Sequence, residues 1–221
     1  MKIKRIIDVL FSIIGIILLI PLTIYIIILK IIFKDKSNIF FTQKRIGKDG
    51  KIFKIYKYNT MIKQSEKMLE ILLNHNQKLK NEYTINRKLE EDPRITKVGK
   101  ILRERNLDEF PQFINILKGD MSLVGPRPYM QEEKIYMGEY YDKIIKVKPG
   151  ITGNWQIEKE NKKKFKERLE IEAVYYKNHT LKEDIKIIKK TMQILVRGKN
   201  ENRCININNE FIYGKRKLLI N

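Results

Sequence analysis

Apolar residues fall into three patterns along this chain. From Val9 to Leu29 they run almost unbroken and without a charge. That run exceeds the ~18 residues that mark a transmembrane candidate. It has no small-residue cleavage site, and its apolar core is too long for a signal peptide. Next come two runs rich in β-branched and aromatic residues, Ile39 to Ile46 and Lys51 to Tyr58. Gly47-Lys48-Asp49-Gly50 separates them, which predicts a β-hairpin. From Lys63 onward the apolar residues recur at helical spacing. Met68, Leu69, Leu72, Leu73 and Leu79 predict one helix over Lys63 to Tyr83.

Asp92-Pro93 then breaks the chain, and a short helix is expected from Ile95 to Arg105. In the following helix Phe110, Phe113, Ile114 and Leu117 have the i, i+3, i+4, i+7 spacing of a buried face. Proline is tolerated only among the first helical positions, so Pro111 fixes where this helix begins. Asp108 is therefore expected near the N-cap and Glu109 in the first turn, with Gly119 just past the C-terminus. A turn-rich loop, Lys148 to Gly153, leads into a strand expected at Trp155 to Ile157. Helices are expected over Lys164 to Asn178 and Leu181 to Val196. The second places Leu181, Ile185, Ile188, Met192 and Leu195 on one side, with Lys182, Lys186, Lys189 and Lys190 largely elsewhere. Such a helix either joins the core or lies in a membrane interface. Beyond Lys199 the chain is polar and weakly patterned, and no internal repeat is present.

Hydropathy alone describes the first segment as a straight spanning helix. Pro21 and the flanking charges oppose that description. A proline in a helix interior removes a backbone hydrogen bond and costs ~3 kcal/mol or more. Lys2, Lys4 and Arg5 precede the segment, and Lys30, Lys34 and Lys36 follow it. The positive-inside rule draws both flanks to the cytoplasm. A helix that enters, bends at Pro21 and returns satisfies both flanks; one that crosses cannot.

The chain has 221 residues, enough for one ordinary domain. Lys plus Arg number 46 against 26 Asp plus Glu, a formal charge of +20. That balance points to an anionic partner, although Lys, Ile and Asn are heavily used throughout and part of the charge is a solvated face. Cys204 is the single cysteine, so no intrachain disulfide and no multi-cysteine zinc site can form. His75 and His179 stand in unrelated contexts, which argues against a histidine-led triad. Chemistry in this chain would fall to carboxylates, and a metal held by them and by phosphates would be Mg²⁺.

Asp108 and Glu109 are the carboxylates of interest. An Asp at an N-cap and a Glu in the first turn are also ordinary helix-starting residues. The same place suits phosphate chemistry, because free N–H groups there attract phosphate and a carboxylate can attack phosphorus or bind a cation. Arg127 stands between Pro126 and Pro128. The prolines present its guanidinium at little entropic cost, ready for bidentate phosphate contact, or else form a stiff surface turn. Arg103, five residues before Asp108, is a candidate second phosphate clamp.

These motifs resemble the bacterial sugar transferase family of monotopic polyprenyl-phosphate phosphoglycosyl transferases. The resemblance covers nearly the whole chain. It runs through KRIIDV and the apolar segment, FFTQKRIGKDGKIFKIYKYNTM, DPRITKVGKILRERNLDEFPQFINILKGDMSLVGPRPYM, MGEYYDKIIKVKPGITGNWQI and YYKNHTLKEDIKIIKKT. It implies that a sugar-1-phosphate passes from a UDP-sugar to undecaprenyl phosphate through a covalent phosphosugar-aspartate, with release of UMP. Asp108 would be the nucleophile, and Glu109 would assist with Mg²⁺ or proton handling. Arg103, Arg127, Lys57 and Gln156 would contact substrate. The product would initiate a lipid-linked surface glycan. The apolar segment would be a re-entrant helix with its bend at Pro21. The catalytic domain would face the cytoplasm on the inner membrane.

The expected fold is α+β and mostly helical. It has a re-entrant membrane helix with basic flanks at 1–36, a catalytic domain at 37–198 holding the β-hairpin and amphipathic interfacial helices, and a polar tail at 199–221. Expected partners are a UDP-sugar, undecaprenyl phosphate and membrane lipid, with no nucleic acid; a homodimer is admitted. Three positions depart from the family pattern. Ile20 precedes Pro21 where many members have serine. Asn59 stands where Arg or Lys is usual. Glu158-Lys159-Glu160 replaces a Ser-Gly-Arg turn, with Lys162 to Lys164 as alternative cations. The segment Gln64 to Asp92 and the block Met137 to Gln156 favour a galactose- or glucose-phosphate donor. Those members often carry extra N-terminal membrane helices, which this sequence does not show, as in members that use N-acetylated amino sugars. A different class would be a basic, membrane-tethered binding module for nucleic acid or anionic lipid.

Overall fold

The computed structural model describes residues 2–158 and 164–197. The apolar segment forms helix α1, Lys2–Ile32, which stays helical through Pro21. One stripe of α1 is buried: Asp8, Ser12, Gly15, Ile26 and Lys30, with Leu19 and Leu22 partly covered between them. The steps of three and four residues are those of a single helix face. The opposite face, including Leu10, Ile17, Ile24, Ile28 and Ile31, is exposed.

Polar side chains tie both ends of α1 to the rest of the protein. Asp8 accepts from Ser122 Oγ at 3.0 Å and from Leu123 N–H at 2.9 Å. Arg5 donates to the carbonyls of Ile116 and Leu117 at 2.6 and 2.8 Å. Toward the other end Thr23 Oγ1 bonds Tyr58 OH at 2.6 Å and Ile26 packs with Tyr58, Val98 and Leu102, while Lys30 bonds Asp35 at 3.2 Å and Ser37 Oγ at 2.6 Å in the turn that follows the helix.

Strands β1, Phe40–Ile46, and β2, Ile52–Tyr58, form the expected antiparallel hairpin, with Phe41 opposite Lys57. The helix expected over Lys63 to Tyr83 is instead two, α2 at Ser65–His75 and α3 at Gln77–Asn86. Asn76 divides them: its backbone is extended and its side chain accepts from Leu79 N–H, which caps a new helix.

Helix α4 is Lys97–Glu104, α5 is Gln112–Lys118, and Gly119 ends α5 as expected. Asp108 does not cap α5. It sits in a one-turn 3-10 helix, Leu107–Glu109, ahead of Pro111. The buried side of α5 is wider than the expected one: Phe110 and Phe113 pack against core residues as expected, Gln112, Asn115 and Ile116 are buried as well, and Leu117 is 39% exposed. Asn115 explains the difference. Its side chain bonds Tyr56 N–H and the Lys54 carbonyl, satisfying β2 from inside the fold. The apolar stripe is thereby turned toward α1, and Phe113 packs over Gly15, where a Cβ would lie 2.3 Å from the ring.

Strand β3, Ser122–Val124, pairs in parallel with β4, Gly150–Thr152. Between them lies the short helix α6, Tyr140–Ile144. The strand expected at Trp155 to Ile157 is helix α7, Asn154–Ile157; the extended residues precede it, in the Pro-Gly-rich stretch. Helices α8, Phe165–Asn178, and α9, Leu181–Arg197, close the order. On α9 the core side is Asp184 and Ile187, while Leu181, Ile185 and Met192 are exposed. Its apolar stripe is therefore divided: Ile188 packs against the core, while Leu181, Ile185 and Met192 face outward. The side chain of Leu195, residues 159–163 and the tail from 198 lie outside the described residues. The fold is mostly helical with two small sheets.

Candidate active site

Pro111 shapes the turn that carries the carboxylates. It has no N–H, so an α-helical ladder cannot pass through it. Short-range bonds close the turn instead: Glu109 N–H to the Asn106 carbonyl at 3.3 Å and Phe110 N–H to the Leu107 carbonyl at 3.2 Å. Asn106 enters it in the left-handed conformation, φ 53°. Asp108 is buried by this arrangement, and Glu109 is half-buried.

Two elements bring cations to the pair. From β2, Lys57 bonds Glu109 Oε1 at 2.8 Å. From α4, Arg103 donates Nε–H to Thr60 Oγ1 at 2.9 Å. Gly99 makes that contact geometrically available, because a Cβ there would lie 2.0 Å from the Thr60 carbonyl oxygen. Burial depresses the Arg103 guanidinium from its ordinary value. Asp108 and Asp92 oppose the shift, while Arg94 and Arg127 add to it. Arg103 therefore lies within electrostatic reach of both Asp108 and Arg127. Of the site residues expected from the sequence, Lys57 and Glu109 are thus in contact, and Arg103 is within electrostatic reach of Asp108 and Arg127.

Arg127 is the hub of a wider positive region. Its backbone N–H donates to Glu172 Oε1 on α8 at 3.2 Å. Arg45 on β1 donates to the Pro128 carbonyl at 3.2 Å. Burial, then Arg127, hold Arg45 down to about 10. Lys88 is lowered by burial, Arg168 and Arg127. Arg168 on α8 is lowered by burial and Arg127, and it lies over the rings of Phe165, Trp155 and Tyr129. Glu133, 3.9 Å from Arg45, and Glu172 offset part of this charge, and an added anion would relieve more of it.

Gln156 lies apart from the carboxylates. It is on α7 beside Gly153, which abuts the Gly125 carbonyl just ahead of the Pro-Arg-Pro turn. Its Oε1 is buried without a hydrogen-bond partner among the described residues. Asn59 takes a backbone role: its side chain accepts from Met61 N–H at 3.1 Å. Pro21 is exposed on α1. Near it Thr23 Oγ1 bonds Tyr58 OH at 2.6 Å and the Leu19 carbonyl at 2.6 Å, so a hydroxyl serves this stretch although Ile20 replaces serine.

Thr60, Arg45, Lys88, Arg168 and Glu172 were not singled out by the sequence patterns. For the last two a signal existed, an Arg and a Glu four apart on α8, flanking the apolar positions Leu169 and Ala173. No group of three or more His, Cys, Asp or Glu suited to a metal occurs among the described residues. The Asp108–Glu109 pair fits a cation that takes one or two carboxylates and completes its shell with phosphate and water, which is the habit of Mg²⁺.

Comparison with known proteins places these features in context. The family model described as bacterial sugar transferase matches residues 1–198. The undecaprenyl-phosphate galactose phosphotransferase of Salmonella typhimurium is 38% identical over 88% of this chain and 40% of its own length. The exopolysaccharide production protein ExoY of Sinorhizobium fredii is 37% identical, covering 86% of this chain and 83% of its own. The UDP-glucose:undecaprenyl-phosphate glucose-1-phosphate transferase of Escherichia coli is 38% identical over 68% of this chain and 31% of its own. The chain thus spans less than half the length of the Salmonella and Escherichia relatives.

Proposed function

This chain belongs to the bacterial sugar transferase family, and from that premise we propose that it transfers a sugar-1-phosphate from a UDP-sugar to undecaprenyl phosphate. An Asp108 carboxylate oxygen attacks the sugar-bearing phosphorus. The bond from that phosphorus to the bridging oxygen breaks, and UMP leaves with the electron pair. An oxygen of undecaprenyl phosphate then attacks the same phosphorus and releases the Asp108 carboxylate. The product is an undecaprenyl-diphosphate sugar, the first lipid-linked unit of an exopolysaccharide or capsule.

The observation that supports this reading most is the position of Arg103, held by Thr60 and within reach of both Asp108 and Arg127. A carboxylate and a diphosphate repel each other in water. Fixed guanidinium groups beside the phosphates offset that repulsion where charge accumulates. Asp108 and Glu109 would hold Mg²⁺, which when bound neutralises further phosphate charge. Lys57 keeps Glu109 oriented beside the nucleophile. The galactose and glucose named for the relatives favour a hexose donor.

Docking of α1 on one body at residues before and after Pro21 supports a membrane helix that dips into a single leaflet and returns, its flanks and the catalytic domain on the cytoplasmic side. The exposed apolar faces of α1 and α9 supply the lipid contact.

UMP release from a panel of UDP-sugars tests the reading, using the full chain in detergent with undecaprenyl phosphate and Mg²⁺. Release with UDP-galactose or UDP-glucose is expected. Absence of release across the whole panel would overturn it.

A further inference from the structure

Glu172 lies midway along α8 and is fully buried. One carboxyl oxygen, Oε1, accepts the Arg127 backbone N–H at 3.2 Å. The other, Oε2, has no hydrogen-bond partner among the described residues. One turn earlier Arg168 is 8% exposed, caged by the rings of Phe165, Trp155 and Tyr129 at 4.9, 5.6 and 5.8 Å. The Nε atoms of Arg127 and Arg168 and the Tyr129 hydroxyl are likewise buried without partners. Buried polar atoms are nearly always satisfied, so this concentration around one turn marks a place where the protein holds unspent hydrogen-bonding and charge for something else.

We infer that Glu172 is a positioning residue, which fixes the Pro126-Arg127-Pro128 turn through the Arg127 backbone and determines how much of the Arg127 charge is left for a substrate phosphate. The inference rests on the reading of Arg127 as a phosphate ligand. A carboxylate beside two guanidinium groups would ordinarily pair with them and compete with any phosphate. Here burial pushes Glu172 up to about 8, against the pull of the Arg127 N–H and of the Arg168 and Arg127 charges. Burial thus favours the neutral acid, which still accepts the backbone bond but leaves the guanidinium charge uncompensated. Above that value it ionises and turns from a support into a competitor. The groups that face this region are Arg127 and Tyr129 on the turn, Arg168 and Tyr175 on α8, Glu158 at the end of α7, and Lys88, which reaches Arg127 and Arg168.

UMP binding by the full chain in detergent, measured by calorimetry at pH 7 and pH 9, tests this. The UMP phosphate is a dianion throughout, its second ionisation lying at about pH 6. If only the neutral form of Glu172 leaves the site competent, wild-type affinity falls about tenfold between the two pH values. Glu172→Gln keeps an acceptor for the Arg127 N–H and cannot ionise, so the difference between pH 7 and pH 9 should shrink to less than about twofold. Glu172→Asp keeps the ionisable group and should keep a pH-dependent affinity. A purely structural role would not produce this pattern. Constant wild-type affinity between pH 7 and pH 9 would overturn the inference without recourse to any variant, and so would an equal fall in E172Q. Lack of UMP release from UDP-sugars is a failure of the catalytic reading and leaves the binding test in force.

Discussion

Lys57 and Tyr58 are neighbours on β2 and point to opposite faces of the hairpin, one to the catalytic turn and the other to the membrane helix. Lys57 bonds Glu109 at 2.8 Å, and Tyr58 bonds Thr23 on α1 at 2.6 Å. Strand alternation alone produces this division. The consequence is that one two-residue step links the depth at which α1 sits to the placement of the catalytic carboxylates.

The Lys57–Glu109 pair is partly solvated, so its value lies in orientation more than in stability. Lys57→Met should shift thermal stability by no more than ~1 kcal/mol. It should nevertheless lower kcat/KM for UMP release about tenfold or more by freeing the Glu109 side chain. Because both residues act through one contact, K57M/E109Q should be no slower than E109Q alone. Multiplying losses in the double variant would show that Lys57 acts independently of Glu109.

Asp108 bears the sharpest prediction. Asp108→Asn preserves size and the hydrogen-bonding turn but removes the nucleophilic charge. It should abolish the covalent phosphosugar-protein adduct formed with a radiolabelled UDP-sugar and lower turnover by about 10³-fold or more. Adduct that persists at wild-type level in D108N removes Asp108 from the nucleophile role.

Much of this arrangement was legible in the sequence, and the parts that were not share a physical cause. The hairpin, the long apolar helix, and the grouping of Asp108, Glu109, Arg103 and Arg127 follow from local pattern and from motif. Pro111 correctly announced a helix start, but not that a 3-10 turn would precede it, since the choice depends on which carbonyls lie in reach. The spacing of the apolar stripe of α5 announces the packing of Phe110 and Phe113, but it does not report that Leu117 stays exposed. Asn115 adds a second buried side by bonding β2, a tertiary contact no periodicity encodes. Arg45, Arg168 and Glu172 escaped notice for a similar reason: a charged residue reads as surface until the fold supplies its partners.

The topology of α1 can be read by chemical labelling. Lys2 and Lys36 are exposed and flank the helix, and Cys204 is the single native cysteine. In a Cys204→Ser background, Lys2→Cys and Lys36→Cys should both react with a membrane-impermeant maleimide in inside-out vesicles, and neither in intact cells. Arg5 and Asp8 before Pro21 and Thr23 after it all bond the same folded body, which favours both flanks on one side of the membrane. Labelling from opposite sides would restore the spanning helix.

The buried acid on α8 also sets a pH dependence of stability, separate from its effect on binding. Burial raises Glu172 from an ordinary 4.5 to about 8 in the folded protein. The folded state therefore keeps a proton that the unfolded chain gives up. The stability contributed by that proton is complete below pH 4.5 and is lost as the pH rises toward 8. The slope approaches ~1.4 kcal/mol per pH unit at most. Glu172→Gln removes this term, whereas Lys88 and Arg45, also shifted by burial, are present in both proteins and cancel in the comparison. The midpoint of thermal unfolding in detergent, followed from pH 5 to pH 9, should fall more steeply in wild type than in E172Q, with the gap between them growing in favour of Gln up to about pH 8. Parallel profiles across that window would mean that Glu172 is ionised in the folded protein at neutral pH, and that the Arg127 turn is held by a carboxylate.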